Sequence, residues 1–565
     1  MRLQLSSTAR LLFVGAAAWV FALLTAMPAA QTGTSPATAP KIVKTSLVGP
    51  HKNTQLFLHS DNCVACHNNL ASPTGEDVSI GTSWRSTMMA NSARDPYWHA
   101  SVRREVMDHA SRGAEIQDEC AACHMPIAQR LAHEDGKPGE VFAHLGSATG
   151  EEDVAALAAD GISCTVCHQI SSEKLGTPES FNGGFVLKPT RPDGVREIFG
   201  PFEIDRGRRT IMRSVTHFEQ VQAPHIRQSE VCATCHTLIT QAYGPDGRVI
   251  GSLPEQMNYQ EWQHSDFSRE GRSCQSCHMP KTDGPIRVSS VLGDSRDSLS
   301  RHAFVGGNAF MVRLLNRFRN ELGVPALSSE LEATARATER QLQQDTATLL
   351  VSAPSRAGQA IAFDVEVRNL AGHKFPTGYP ARRTWLHVTV RDQAGRVTFE
   401  SGGIDTSGLI SGNDNDADGA RYEPHYEEIT AADQVQIYET VLGDPAGQPT
   451  TGLLTAVRYL KDNRLLPRGF DKATADPQIA VFGAAASDTS FAGGGDRIRY
   501  RLNVASVQGP LSIEVELRYQ PIGYRWAHNL DTYDAAEPKR FAGYYQTMAS
   551  SASTLVQRVT LTAGP

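Results

Sequence analysis

Cys63-Val-Ala-Cys-His67 is the stretch that decides how this chain is read, because the same pattern occurs five times. The other copies are Cys120-Ala-Ala-Cys-His124, Cys164-Thr-Val-Cys-His168, Cys232-Ala-Thr-Cys-His236 and Cys274-Gln-Ser-Cys-His278. Together they use all 10 cysteines, and their first cysteines are 57, 44, 68 and 42 residues apart. Disulfides would not explain a histidine after every pair. A zinc ribbon would join two C-x-x-C units and would not need one.

The spacing has a geometric meaning. Two thiols three residues apart on one helical turn face the same way. They can reach the two vinyl groups of one haem, and the following histidine then offers a ring nitrogen to the iron. The pattern predicts five covalently attached haem c groups. Their anchors are Cys63, Cys66, Cys120, Cys123, Cys164, Cys167, Cys232, Cys235, Cys274 and Cys277. Their proximal iron ligands are His67, His124, His168, His236 and His278.

Each iron has a second face, and 14 of the 19 histidines remain to supply it. A second His makes a closed carrier, Met raises the potential, and an open face permits catalysis. His302 stands in Arg-His-Ala-Phe-Val-Gly-Gly-Asn, where paired glycines let backbone approach a flat ring. His373 lies in Gly-His-Lys-Phe-Pro-Thr-Gly, a turn bracketed by Gly372 and Gly378 and stiffened by Pro376. His225, seven residues before Cys232, and His217 follow as candidates. Met89, His99 and His59 compete for the remaining iron. For each of these the rival reading is an ordinary packing or surface residue. Met125 and Met279 sit too close to a proximal His to reach the far side of its iron, so they read as haem-edge packing, with Pro126 and Pro280 ending the turn.

The 565 residues exceed one ordinary domain, and 40% apolar with 20% charged residues fits a globular chain. The net charge is -7, with no basic stripe, which argues against nucleic acid as a partner. Arg2 and Arg10 precede an uncharged run from Leu11 to about Ala30 that ends in small residues. Residues 1–30 read as a bacterial export signal, with an uncleaved anchor as the rival. Export puts the protein in the periplasm or outside the cell, with no membrane span after cleavage; losing both arginines makes the charge -9.

Residues 31–50 read as a flexible lead-in. Residues 51–305 read as a mainly α and loop domain packed around haem, and 306–354 as a helical connector, with Phe310–Phe318 and Glu330–Leu350 as amphipathic stretches. From 355 to 565 the period changes to two. Ile361, Phe363, Val365 and Val367 alternate with polar residues, as do Leu386, Val388 and Val390, and later Ile498 to Val504 and Ile513 to Tyr519. Asp392-Gln-Ala-Gly395 is a hairpin turn between two such runs. This predicts an all-β, sandwich-like domain. Asp414, Asp416 and Asp418 resemble the start of a calcium loop. His425 stands where an EF-hand needs Glu, which leaves structural calcium or a plain acidic loop.

With these motifs and the segments Trp84–Trp98, Cys274–Pro280 and His302-Ala-Phe-Val-Gly-Gly, the chain resembles a multihaem cytochrome c. The superfamily includes the tetrahaem cytochrome of ammonia oxidisers and hydroxylamine oxidoreductase, and the resemblance spans about 51–305. The Gly-His-Lys-Phe-Pro-Thr-Gly segment and the strands after it look like the C-terminal β-domain of some bacterial multihaem cytochromes. The resemblance implies haems packed in close pairs, mostly with two His ligands. No C-x-x-C-K occurs, so the catalytic haem of pentahaem nitrite reductase has no counterpart.

The expected function is single-electron transfer between redox partner proteins along a haem chain. One alternative is an oxidoreductase acting on a small nitrogen or sulfur compound at one open haem. Another is a subunit of an extracellular haem filament, with His51 and His59 near the mature N-terminus available to a neighbour. The oligomeric state is left open.

Overall fold

A computed structural model describes residues 56–145, 152–297, 299–504 and 509–564. The export signal, the lead-in and His51 lie outside the described residues.

Short helices carry the motifs: Asp61–Val64, Gly113–His124, Cys164–Cys167, Glu230–His236 and Cys274–His278. Longer helices stand between them where the sequence supplies start signals. Pro96–Asp108 begins with Pro at its first position, and the Asp95 carboxylate accepts the N–H groups of Tyr97 and Trp98 at 2.8 and 3.3 Å. Pro126 opens the helix Pro126–Glu134 directly after the second motif, so it starts a helix as well as ending the turn before it. A parallel pair, Arg196–Gly200 with Phe218–Gln222, and an antiparallel hairpin, Thr237–Tyr243 with Val249–Met257, complete this region. Its apolar side chains form several small clusters rather than one core.

The helix Ala309–Arg317 follows, capped by the Asn308 side chain, and then Ser328–Gln341. The second amphipathic stretch does not stay helical to residue 350. Ala347–Val351 is a strand paired with Ala360–Asn369. Its apolar residues satisfy a sheet edge as readily as a helix face, and the neighbouring strand decides between them.

Two five-stranded sheets dominate the remainder. One has the order Val397–Ser401, Arg383–Arg391, Leu511–Gln520, Thr554–Ala563, with Ile437–Tyr438 also pairing to Arg383–Arg391. The other runs Glu428–Ile429, Gly495–Asn503, Ala360–Asn369, Ala347–Val351, with Ser355–Ala357 also pairing to Ala360–Asn369. The alternating residues named from the sequence are buried in one core shared by both sheets. Phe363 sits opposite Tyr500 in register, and their rings stack at 5.2 Å, a cross-strand pair of the kind that fixes register. Asp392 to Gly395 makes the expected turn, with Gly395 at φ +80° donating its N–H to the Asp392 carbonyl.

The C-terminal region is not all-β. The helix Ala536–Met548 interrupts the last sheet and packs on Pro96–Asp108. Tyr97 meets Phe541 at 5.0 Å between ring centres, and Glu537 accepts from Nε and Nη2 of Arg103, each at 2.9 Å. Motif region and sheets thus belong to one compact unit. Among the described residues no helix is long and apolar enough to cross a membrane.

Candidate cofactor site

All 10 motif cysteines and all five motif histidines line one connected cavity of about 1780 Å³. None of the 10 forms a disulfide. Cysteines from different motifs come close to one another across the cavity: Cys63 lies beside Cys164, Cys123 beside Cys235, and Cys232 beside Cys274. The first motif is therefore beside the third, and the fourth beside both the second and the fifth.

The motif histidines are oriented by backbone. The Nδ1–H of His67 donates to Val288 O at 2.7 Å, that of His124 to Ser92 O at 3.2 Å, that of His168 to Phe199 O at 2.6 Å, and that of His278 to Val305 O at 2.5 Å. A carbonyl can only accept, so the proton is on Nδ1 and Nε2 keeps its lone pair. This is how proteins orient an imidazole that binds a metal. Trp98 lies flat on His124 at 4.4 Å, a further restraint on that ring. Among the described residues His236 has no such carbonyl partner. Burial pushes His124 and His236 down to about 4, which leaves them neutral, the metal-binding form, at pH 7.

Two of the proposed distal histidines also line the cavity. His302 faces His168 with ring centres 6.3 Å apart and planes 22° from parallel. His373 faces His278 at 6.2 Å and 13°. Their Nδ1 atoms are engaged in the same way, His302 with Ser300 O at 3.1 Å and His373 with Lys374 O at 2.9 Å. Two metal–imidazole bonds of about 2.0 Å placed end to end leave ring centres about 6 Å apart. Both pairs have that spacing, so the residues present fit an iron ligated on both faces.

The other distal candidates lie elsewhere. His225 is buried, but its Nε2 is engaged with Ile170 O at 2.8 Å, and it does not line the cavity. His217 is exposed, in the left-handed conformation that ends the helix Arg206–Thr216. His99 uses both nitrogens, one on Ala93 O and one accepting from Arg540, each at 2.9 Å. His59 is held between Asp61 and Asp160. Met89 lines the cavity. Among the described residues no imidazole is paired across the cavity with His67, His124 or His236.

The calcium reading is corrected. Both Asp416 oxygens are taken by Arg383, at 2.7 and 2.8 Å, in a buried pair. Asp414 pairs with Arg421, and Asp418 caps the Ala420 N–H. The three carboxylates are spent on different partners and do not converge. His425, Asp488 and Asp496 do converge and are buried, but the hydrogen bonds there leave no ligand nitrogen free. Gln436 and Asn463 each point an amide N–H at His425 Nδ1, because their oxygens accept the Tyr426 and Glu439 backbone N–H groups. The ring proton is therefore on Nε2 and donates to Asp488 at 3.0 Å.

No family model matches the chain, and no curated protein does. A solved structure does match: a penta-haem cytochrome c552 from Thermochromatium tepidum, with a TM-score of 0.52 and 16% identity. The match covers 90% of this chain and 99% of that one. The chain has the fold of a multihaem cytochrome. The likeness reaches well beyond residues 51–305, so sheets as well as motifs fall within it.

Sequence reasoning missed the residues that hold these rings in place. Nothing local marks Glu261, which grips the His373 turn. Trp98, Lys374 and Thr377 all lie inside quoted segments, but their partners come from distant parts of the chain.

Proposed function

We propose that this chain is a five-haem c-type cytochrome that carries single electrons. The facing imidazole pairs, His168 with His302 and His278 with His373, are the observation that supports this reading best. In it, the 10 motif cysteines anchor the porphyrins, the five motif histidines are proximal ligands, and His302 and His373 are distal ligands. Haem supplies reversible one-electron iron chemistry. The protein supplies backbone carbonyls that orient the ligands and apolar walls that keep water away. The adjacent cysteines of different motifs favour close neighbours, first beside third and fourth beside second and fifth, which suits electron passage. Export to the periplasm or beyond, and exchange with redox partner proteins, belong to this reading. Mass spectrometry of the mature protein tests it: five haem additions are expected, and fewer after full maturation would refute the count.

A second reading has its own support. Three motif histidines face no imidazole among the described residues, and around the second motif the cavity is polar. Glu105, Glu119 and Glu255 lie near Cys120 there, with Tyr97, Ser101 and Tyr379 on the wall. Burial pushes Glu119 up to about 7 and Glu255 to about 8, values at which a carboxyl can deliver a proton at neutral pH. In this reading a small molecule is reduced or oxidised at that site. Carbon monoxide binding by the reduced wild type supports it; complete refusal removes it.

A further inference from the structure

We propose that Glu261 is a positioning residue that holds His373 in register with His278. The proposal rests on the reading that these two imidazoles serve one haem.

His373 lies in a turn, and no helix or strand fixes it. The turn is held from both sides, by a Phe375–Leu465 backbone pair on the sheet side and by Glu261 on the motif side. Glu261, fully buried in the helix Asn258–Gln263, accepts two hydrogen bonds on Oε2: the Lys374 backbone N–H at 3.2 Å and the Thr377 hydroxyl at 2.5 Å. Its Oε1 is 2.9 Å from Arg464 Nη1. Arg464 grips Asp462 through two nitrogens at 2.9 and 2.8 Å, and Asp462 accepts from Lys374 Nζ at 2.7 Å. Lys374 is thus tied at both ends, its amide to Glu261 and its ammonium to Asp462. Its carbonyl oxygen, between those anchors, accepts the Nδ1–H of His373. The hydrogen bond that sets the azimuth of the His373 ring therefore hangs from a residue pinned by Glu261. Asn369 secures the other side, donating to the His373 carbonyl at 2.8 Å.

The four charges, two of each sign, are all buried. Buried ion pairs are poor sources of stability, and apolar packing of similar volume commonly does as well. What this quartet provides is position. Glu261 lies on the stretch between the fourth and fifth motifs, whereas Lys374, Asp462 and Arg464 come from the sheet region. The clamp therefore relates the two halves of the His278–His373 pair to each other directly. Gly372 adds a steric limit, since a Cβ there would sit 3.1 Å from the Phe267 ring.

The test uses full-length, haem-loaded protein and three variants. His373→Ala is the reference; it should convert one low-spin haem to high-spin and add one carbon monoxide per chain. Glu261→Gln keeps the shape and removes the charge. It should convert part of that same haem, with a fractional gain in carbon monoxide binding, while the signal of the His168–His302 haem stays as in wild type. Thr377→Val keeps all four charges, should fold, and should shift the same signal less. If His373→Ala leaves the low-spin count unchanged, the ligand reading fails and the proposal with it. If His373→Ala opens a haem but Thr377→Val and any folded Glu261→Gln leave it closed at wild-type potential, the clamp is refuted and the ligand reading stands. A loss spread evenly over all haems also refutes positioning, because it marks general destabilisation.

Discussion

The imidazoles of His278 and His373 face each other at 6.2 Å, although one ends the fifth motif and the other belongs to a turn leading into the sheets. The sheet region thereby lines the same cavity as the motif residues. Truncation near residue 350 would remove His373, but it would also strip the wall from the motif region, so a point variant is the cleaner probe of this ligand.

His302 should respond to substitution in two distinct ways. His302→Met should keep the haem anchored at Cys164 and Cys167 six-coordinate and raise its potential, because thioether favours ferrous iron more than imidazole does. His302→Ala should open that iron to carbon monoxide. Redox titration and ligand binding check both. Spectra and potentials unchanged in both variants would show that the 6.3 Å ring pair with His168 is packing.

Exogenous ligand binding by wild-type protein separates the carrier reading from the small-molecule reading. Among the described residues two motif histidines have facing imidazoles and three do not, so electron paramagnetic resonance should show two bis-His haems with distinct signals from the rest. Carbon monoxide or cyanide should titrate to at most three per chain. Five bis-His signals and no ligand binding would remove the small-molecule reading and leave a fully closed carrier; more than three ligands bound per chain would contradict the two facing pairs.

Asp462 gives a pH-dependent test. Burial alone would raise its carboxyl, but Arg464 and Lys374 outweigh burial and hold it down to about 2, against an ordinary 3.8. A depressed carboxyl contributes stability that is fully present above its ordinary value and is lost as pH falls through the folded one. Asp462→Asn should therefore cost about 3–5 kcal/mol at pH 7, by leaving buried cations underpaired. The cost should shrink between pH 4 and pH 2. Thermal melts across that range check it, and a constant difference from pH 7 to pH 2 would refute the assignment.

The His425 network predicts a specific failure. Gln436→Glu would replace an amide N–H aimed at His425 Nδ1 with an oxygen, so the ring proton would move or a second proton would be recruited. A His signal that titrates near neutrality should appear in nuclear magnetic resonance of the variant. The wild-type ring, which burial pushes down to about 4, should not titrate above pH 6.

What could be read from the sequence was what local spacing encodes. Five C-x-x-C-H copies need no tertiary knowledge, and neither does Ile361 to Val367 alternating against polar neighbours. The helix Ala536–Met548 was hidden because Pro538 and Gly543 weaken its propensity while packing on Pro96–Asp108 supplies its stability. Ala347–Val351 was merged into a helix because Leu349 and Leu350 fit either period. His225 and His99 could not be sorted from ligands, since what engages their nitrogens is a backbone carbonyl or an arginine brought near only by the fold. Asp416 looked like a calcium ligand until Arg383 was placed beside it.

The contact between Ala536–Met548 and Pro96–Asp108 also has a consequence for shortened chains. A chain is made N-terminus first, and this seam joins its first hundred residues to its last thirty. All five motifs precede in the chain the piece that closes over Tyr97 and Arg103. In the five-haem reading, a chain that ends before residue 536 would hold its haems behind an incomplete wall, so loss of this last helix should loosen the second motif before it touches the sheets.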